Sequence, residues 1–303
     1  MMGAFFLFNV KISTMSEPIR HHYIPQFWLK TFCEDPNDGY VRYIDIKTGK
    51  ESYENVKNIF YCNRLYEDEE NHPEDAEIIE KTLSKFESEI QPLFKKIVYD
   101  KEIILSEQDY FKLFIFLELE IYRNNRNKVM LRNHAKAKDI PFVETHDYNK
   151  FISQWKNEIF ELSKIRAPKD VASSNLDQGA KFQLQFDLEY EHLLIFETKD
   201  IPFIISDTMP IVLQVPGLIP NVKVPVVSIL PISPRRVAVI ALNDIENTHY
   251  RDMPISKEKL RSPIIKKSLF NVYNLKPRLL YKKDVIGINE ALKRLALEGY
   301  IIK

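Results

Sequence analysis

Between Tyr110 and Tyr122 the chain reads YFKLFIFLELEIY, and Arg123 follows at once. Apolar side chains fall on almost every face of a helix built from this run, so it has no solvent stripe and other elements must surround it. Glu118 and Glu120 interrupt the run, which argues against a membrane span. The chain therefore needs a shell around a central buried helix, and its 303 residues are enough to build one. After about residue 180 the pattern changes. KFQLQFDLEY, HLLIFET, PFIISD, PIVLQV, VVSILPIS and RRVAVIAL are short, β-rich and separated by Pro, Asp or Asn, which predicts strands. The expected fold is α+β: one domain with the buried helix packed on a mainly antiparallel sheet drawn from residues 180–245.

The remaining segments fit around that core. Pro25 suits a helix start, and PQFWLKTFC reads as a short helix with Leu29 and Phe32 on one face. YVRYIDIKTGKES alternates and turns at KTG, a β-hairpin signal. From Pro73, residues Ile79, Leu83, Phe86, Ile90, Leu93, Phe94 and Ile97 recur at helical spacing, with Pro92 expected to kink or split the helix. Ser106 and Asp109 form a capping pair ahead of the buried helix. NKFISQWKNEIFELSKI and GINEALKRLALEGY complete the helices, and PISPRR reads as a tight strand connection with exposed arginines. Residues 1–14 (MMGAFFLFNVKIST) precede Met15 and lack a basic segment ahead of their short apolar stretch. They are read as an extension outside the fold, leaving 15–303 as one domain.

Composition narrows the function. Lys plus Arg and Asp plus Glu each number 43, so no global charge draws the chain to nucleic acid or an anionic membrane, although a local patch remains open. Only 7 glycines are present, and neither GxGxxG nor GxxxxGK[ST] occurs, so a Gly-rich phosphate cradle is absent. The two cysteines, Cys33 and Cys62, form neither a disulfide framework nor a zinc ribbon, which points to a reducing cytoplasm.

Three places carry residue types suited to chemistry. In IRHHYIPQFWLKTF, His21 and His22 precede the proline-started helix. Neighbours on an extended segment face opposite ways, so the pair does not chelate one metal, and no HExxH occurs. The free N–H groups of Gln26, Phe27 and Trp28 would favour an anion beside the histidines. His22 is then either a general acid or base or a structural histidine bonded to a backbone carbonyl. In FIISDTMP, Asp207 either orients a histidine, acts as base or binds a cation, or it simply ends a strand as an Asx turn. Ser206 is a nucleophile only if a base touches it, and no G-x-S-x-G elbow surrounds it. Arg123 is costly to bury unless paired, so it either bridges a carboxylate such as Glu80 or Glu87 or holds an anionic ligand. Glu80 and Glu87 share one helical face as paired or merely solvated carboxylates. The basic stretch through Arg126, Lys128, Arg132, His134 and Lys136 is a solvated helix end or a nucleic-acid contact.

HHYIPQFWLKTF, the tyrosine ahead of an acidic helix, YRNNR, FIISDTMPIVL, PISP and NVYN together resemble the domain-of-unknown-function 4238 family over roughly residues 20 to 282. The family pattern His-x-x-Pro-x-x-x-Leu-x-x-Phe falls here on His22, Pro25, Leu29 and Phe32. Its Ser-Asp-x-Pro-like element falls on Ser206, Asp207 and Pro210 with one extra residue. The resemblance supports the site, names no substrate, and implies a bacterial or phage-borne setting with a defence or toxin role. Taken together, the expected centre is metal-independent and uses no cofactor. His22, Arg123 and Asp207 would be catalytic, and His21, Gln26 and Ser206 would contact substrate. The substrate would be a phosphodiester in short or single-stranded RNA or DNA. The alternative is a non-catalytic sensor that recognises a small anion or nucleotide. Oligomeric state has no signature in the chain.

Overall fold

The computed structural model describes residues 20–45, 48–63, 65–66, 73–123, 147–206, 211–216, 223–242 and 272–298. In chain order, β1 (Arg20–His22) leads into α1 (Gln26–Leu29), which tightens into a 3-10 turn over Lys30–Phe32. The hairpin follows as β2 (Tyr40–Ile44) and β3 (Glu51–Asn55), antiparallel as its alternation predicts. Gly49 takes the left-handed conformation, with φ of 69°, in the connection between them. β4 (Tyr61–Asn63) returns antiparallel to β1. The next elements are α2 (Pro73–Tyr99), β5 (Ile103–Ser106) and α3 (Glu107–Arg123), the buried helix. Then come α4 (Asp147–Leu162), α5 (Pro168–Ser173), α6 (Gln178–Tyr190), β6 (Glu191–Glu197), β7 (Ile211–Pro216), β8 (Lys223–Ser233) and β9 (Arg236–Leu242). The last are β10 (Val272–Leu275), β11 (Arg278–Leu279) and α7 (Lys282–Glu298).

Five strands form the main sheet in the order β11-β6-β9-β8-β7, antiparallel except for the short β11–β6 pair. Its period-2 pattern has a direct consequence, because successive side chains enter two different cores. Leu193, Ile195, Leu230, Ile232, Ala238 and Ile240 join the larger core with α2, α3 and α4. Leu194, Phe196, Ile229, Val237 and Val239 pack against Val285, Ile288 and Leu292 of α7. The sheet is thus a middle layer, apolar on both faces, and the fold is α+β.

α3 is buried along its length, with Phe111 and Leu113 through Glu120 all inaccessible. Its nearest helical neighbours are α2 and α4, and it reaches the sheet where the Tyr110 hydroxyl accepts the Leu193 N–H at 3.0 Å. Its start is capped as the sequence predicts, with the Asp109 N–H donating to Ser106 Oγ at 3.1 Å.

Four expectations are corrected. KFQLQFDLEY lies within helix α6, not a strand. Leu184 is buried, Leu188 packs on the core four residues later, and Phe182 is 70% exposed. An i, i+4 pair satisfies both periods, so the alternation alone did not discriminate. In PFIISD, residues 202–206 join no sheet, and Asp207 lies outside the described residues. The backbone of 202–206 is bonded elsewhere: Ile204 N–H to Asn289 Oδ1 at 3.2 Å, Pro202 C=O from Asn289 Nδ2 at 2.9 Å, and Phe203 N–H to Pro234 O at 2.9 Å. Of the kink or split expected at Pro92, the split does not occur, since α2 runs continuously through it. Finally, Arg235 is exposed at the PISPRR turn but Arg236 is buried, donating to Ile97 O at 3.0 Å.

Candidate functional site

The histidine pair is positioned by the small β1–β4 sheet, where His21 lies opposite Cys62 and His22 opposite Tyr61. Phe60, just before β4, holds a left-handed φ of 52°, and its carbonyl accepts the Tyr23 N–H at 3.0 Å. As strand neighbours must, the two imidazoles diverge. His21 is 2% exposed and stacks on Tyr66, with ring centroids 5.2 Å apart, and its Nδ1 accepts the Tyr66 N–H at 3.5 Å. His22 is only partly buried. Its Nε2–H donates to the Val56 carbonyl at 3.2 Å, and its Nδ1 accepts from Gln26 Nε2 at 3.5 Å. That pair of bonds selects one neutral tautomer. Burial pushes His22 below its ordinary pKa of 6.5 and nearby Arg123 pushes the same way; together these outweigh the Val56 and Lys57 backbone bonds and the Glu87 charge.

The helix start offers an anion less than expected, because one of the three N–H groups singled out, that of Trp28, is already bonded. α1 is a single turn with Pro25 as its N-cap rather than its first residue, and the N–H groups of Trp28 and Leu29 already donate to Pro25 O at 3.0 and 3.1 Å. One turn also carries little dipole. The motif instead docks this turn onto the sheet. Trp28, fully buried, donates Nε1–H to Pro231 O at 2.9 Å, and Thr31 Oγ1 donates to Ile232 O at 2.7 Å.

Arg123 is the hub. It is 2% exposed, with Nε donating to the Tyr66 hydroxyl at 2.9 Å and Nη1 donating to Glu87 and, at 3.4 Å, to Glu120. None of these bonds uses Nη2. Burial by itself would pull the guanidinium pKa down, but Tyr66, Glu87, Glu120 and Glu80 outweigh it and hold Arg123 well above the usual arginine range. Burial pushes Glu120 up to about 8, because desolvation outweighs the attraction of Arg123. Burial likewise raises Glu80, whose Oε1 is closed off from solvent and has no hydrogen-bond partner among the described residues. Burial also raises the Tyr66 phenol. Glu87, bonded to Arg123, keeps 22% of its side-chain surface exposed, whereas the Arg123 side chain keeps 3%.

Of the residues singled out in the sequence, His21, His22, Gln26 and Arg123 gather at this one place, with Glu80 and Glu87 facing Arg123 from α2. The carboxylate bridge foreseen for Arg123 is made by Glu87. Ser206 is buried at the end of residues 202–206, whereas Asp207 and the basic stretch from Arg126 to Lys136 lie outside the described residues. Two members escaped the sequence reading. Glu120 stood out only as an interruption of the apolar run, although its i, i+3 spacing from Arg123 was a usable signal. Tyr66 stood out only as the tyrosine ahead of an acidic helix, with no role; the chain's path after β4 places it beside His21 and Arg123. Among the described residues, no group of three or more His, Cys, Asp or Glu side chains is placed to hold a metal ion, and no helix is long and apolar enough to cross a membrane.

Comparison with known proteins agrees with the motif reading. The model of a family described as a protein of unknown function, DUF4238, matches residues 20–292. No curated protein and no solved structure matches the chain. The matched span runs from β1 into α7 and contains the histidine pair, Tyr66, the carboxylates of α2 and α3, and Arg123; the chain belongs to the DUF4238 family.

Proposed function

We propose that the protein is a metal-independent, hydrolase-like enzyme of the cytoplasm that cleaves phosphodiesters in short or single-stranded RNA or DNA, in a bacterial or phage-defence setting. The observation that carries the reading is His22: neutral, partly exposed, held in one tautomer and adjacent to a buried, permanently charged arginine. In this reading a water or hydroxyl replaces the long Gln26 contact at Nδ1, and His22 takes its proton as the nucleophile attacks phosphorus. Arg123 uses Nη2 to hold a non-bridging phosphoryl oxygen, and Tyr66 and Glu87 fix the guanidinium plane. Asp207 is proposed to orient or counter-charge the histidine, with Ser206 and His21 beside the substrate. A second reading draws on the pairing of Arg123 with two carboxylates, which leaves its charge largely matched: a sensor that binds a small anion or nucleotide without turning it over.

The test is His22→Ala, assayed on a single-stranded oligonucleotide in chelator and melted in parallel. Loss of the general base is expected to lower turnover by about 10² to 10⁴ while the melting temperature stays close to that of the parent. Binding of nucleotide by the parent chain without any cleavage would replace the enzyme reading with the sensor. A variant that unfolds before it loses activity would make His22 structural.

A further inference from the structure

Hydrolysis of a phosphodiester needs two proton movements, and His22 supplies only one. We propose that Glu80 is the second proton-transfer group, a general acid that contacts the leaving oxygen of a phosphodiester held by Arg123; the inference rests on the hydrolytic reading above. Glu80 stands on α2 two turns before Glu87, so both carboxyls look out from the same helical face towards Arg123. Its neighbours on that face are committed. Glu87 is bonded to Arg123, and Glu120, reaching in from α3, is bonded to the same nitrogen. Glu80 is different: its Oε1 is closed to solvent and carries no hydrogen bond among the described residues. A buried polar atom left in that state costs free energy unless a ligand completes it.

The burial that closes off Oε1 also favours the protonated carboxyl, the form a general acid needs. The step balances as follows. As the water oxygen bonds to phosphorus, its proton passes to His22 Nδ1. As the bond from phosphorus to the leaving oxygen breaks, the electron pair goes to that oxygen, which takes the Glu80 proton. Once product leaves, the proton on His22 is lost to water at its partly exposed ring, the water that replaces product in the site returns one proton to Glu80, and no oxidant, reductant or co-reactant is consumed.

A leaving-group comparison tests this on the full chain. One probe is a single-stranded oligoribonucleotide, whose ribose hydroxyl leaves poorly without a proton. The other is bis(p-nitrophenyl) phosphate, whose phenolate leaves without one. Glu80→Gln keeps the shape of the protonated acid and removes its proton. Cleavage of the oligonucleotide is expected to fall by about a hundredfold or more, and cleavage of the nitrophenyl ester by no more than about threefold. Equal losses on both probes, or no loss on either, would overturn the role of Glu80 while leaving the hydrolytic reading standing. If the parent chain cleaves neither probe, the hydrolytic reading itself fails and takes this one with it. Should Glu80→Gln fail to fold by circular dichroism, Glu80→Asp serves instead. It retains the acid but withdraws it by one methylene, and the same split between probes is expected.

Discussion

Glu120→Gln isolates what the buried cluster costs the fold. Glu120 is 3% exposed inside α3, and the only described cation in contact with it, Arg123, is shared with Glu87 and Tyr66. Its carboxyl rises from 4.5 to about 8. In the unfolded chain the group ionises above its ordinary value, while in the fold it keeps its proton to about 8. The folded state therefore binds the extra proton between those values, and stability falls as pH rises through that window before levelling off above it. At about 1.4 kcal/mol per unit, the parent loses roughly 3 kcal/mol through this group between about pH 5.5 and pH 8. Glutamine has the shape of the protonated acid and does not titrate. The stability difference, variant minus parent, is thus expected to grow by about 3 kcal/mol across that interval. Glu80 contributes with the same sign, because its carboxyl is also raised. His22 contributes with the opposite sign over the interval between its lowered value and 6.5. Both are present in each protein and cancel from the difference. Urea denaturation at several pH values measures it. A difference independent of pH would refute the reasoning, and so would a variant that loses stability at pH 8, since either result would mean that Glu120 is ionised and stabilised by Arg123.

Tyr66→Phe removes the oxygen that accepts Arg123 Nε and leaves a charged donor unmatched in a site where the tyrosine is fully buried. A loss of about 1.5–3 kcal/mol is expected by denaturation, and an unchanged midpoint would show that the bond contributes nothing. Trp28→Phe keeps the aromatic packing on Phe94 and Phe116 but deserts the Pro231 carbonyl, which predicts a loss of about 1–3 kcal/mol. The variant would show no loss if that carbonyl finds another donor.

Much of the fold was legible because its signals are local. The seven apolar positions from Ile79 to Ile97 are all buried on one helix, Ser106 caps α3, and the hairpin turns where KTG says it should. Such features depend on residues within a turn or two of one another, and periodicity reports them directly. Where the reading erred, two states satisfied the same local pattern. Leu184 and Leu188 fit a strand and a helix equally, and PFIISD has strand composition but gives its hydrogen bonds to Asn289 and to the β8–β9 turn.

The site divides along the same line. The sequence by itself determined that His21 and His22 face opposite ways, because alternation is a property of the extended backbone. It also determined that an arginine closing an apolar helix needs an anionic partner, a carboxylate or a ligand, because an unpaired buried charge is too costly to keep. Only the tertiary structure decided which histidine is sealed against Tyr66 and which stays accessible beside Gln26. It decided too that Glu120 joins Glu87 at Arg123, and that Glu80 Oε1 has no hydrogen-bond partner among the described residues. Those outcomes depend on how α2, α3 and the β1–β4 pair are pressed together. The environment that sets each proton affinity comes from groups tens of residues away, beyond the reach of any local pattern.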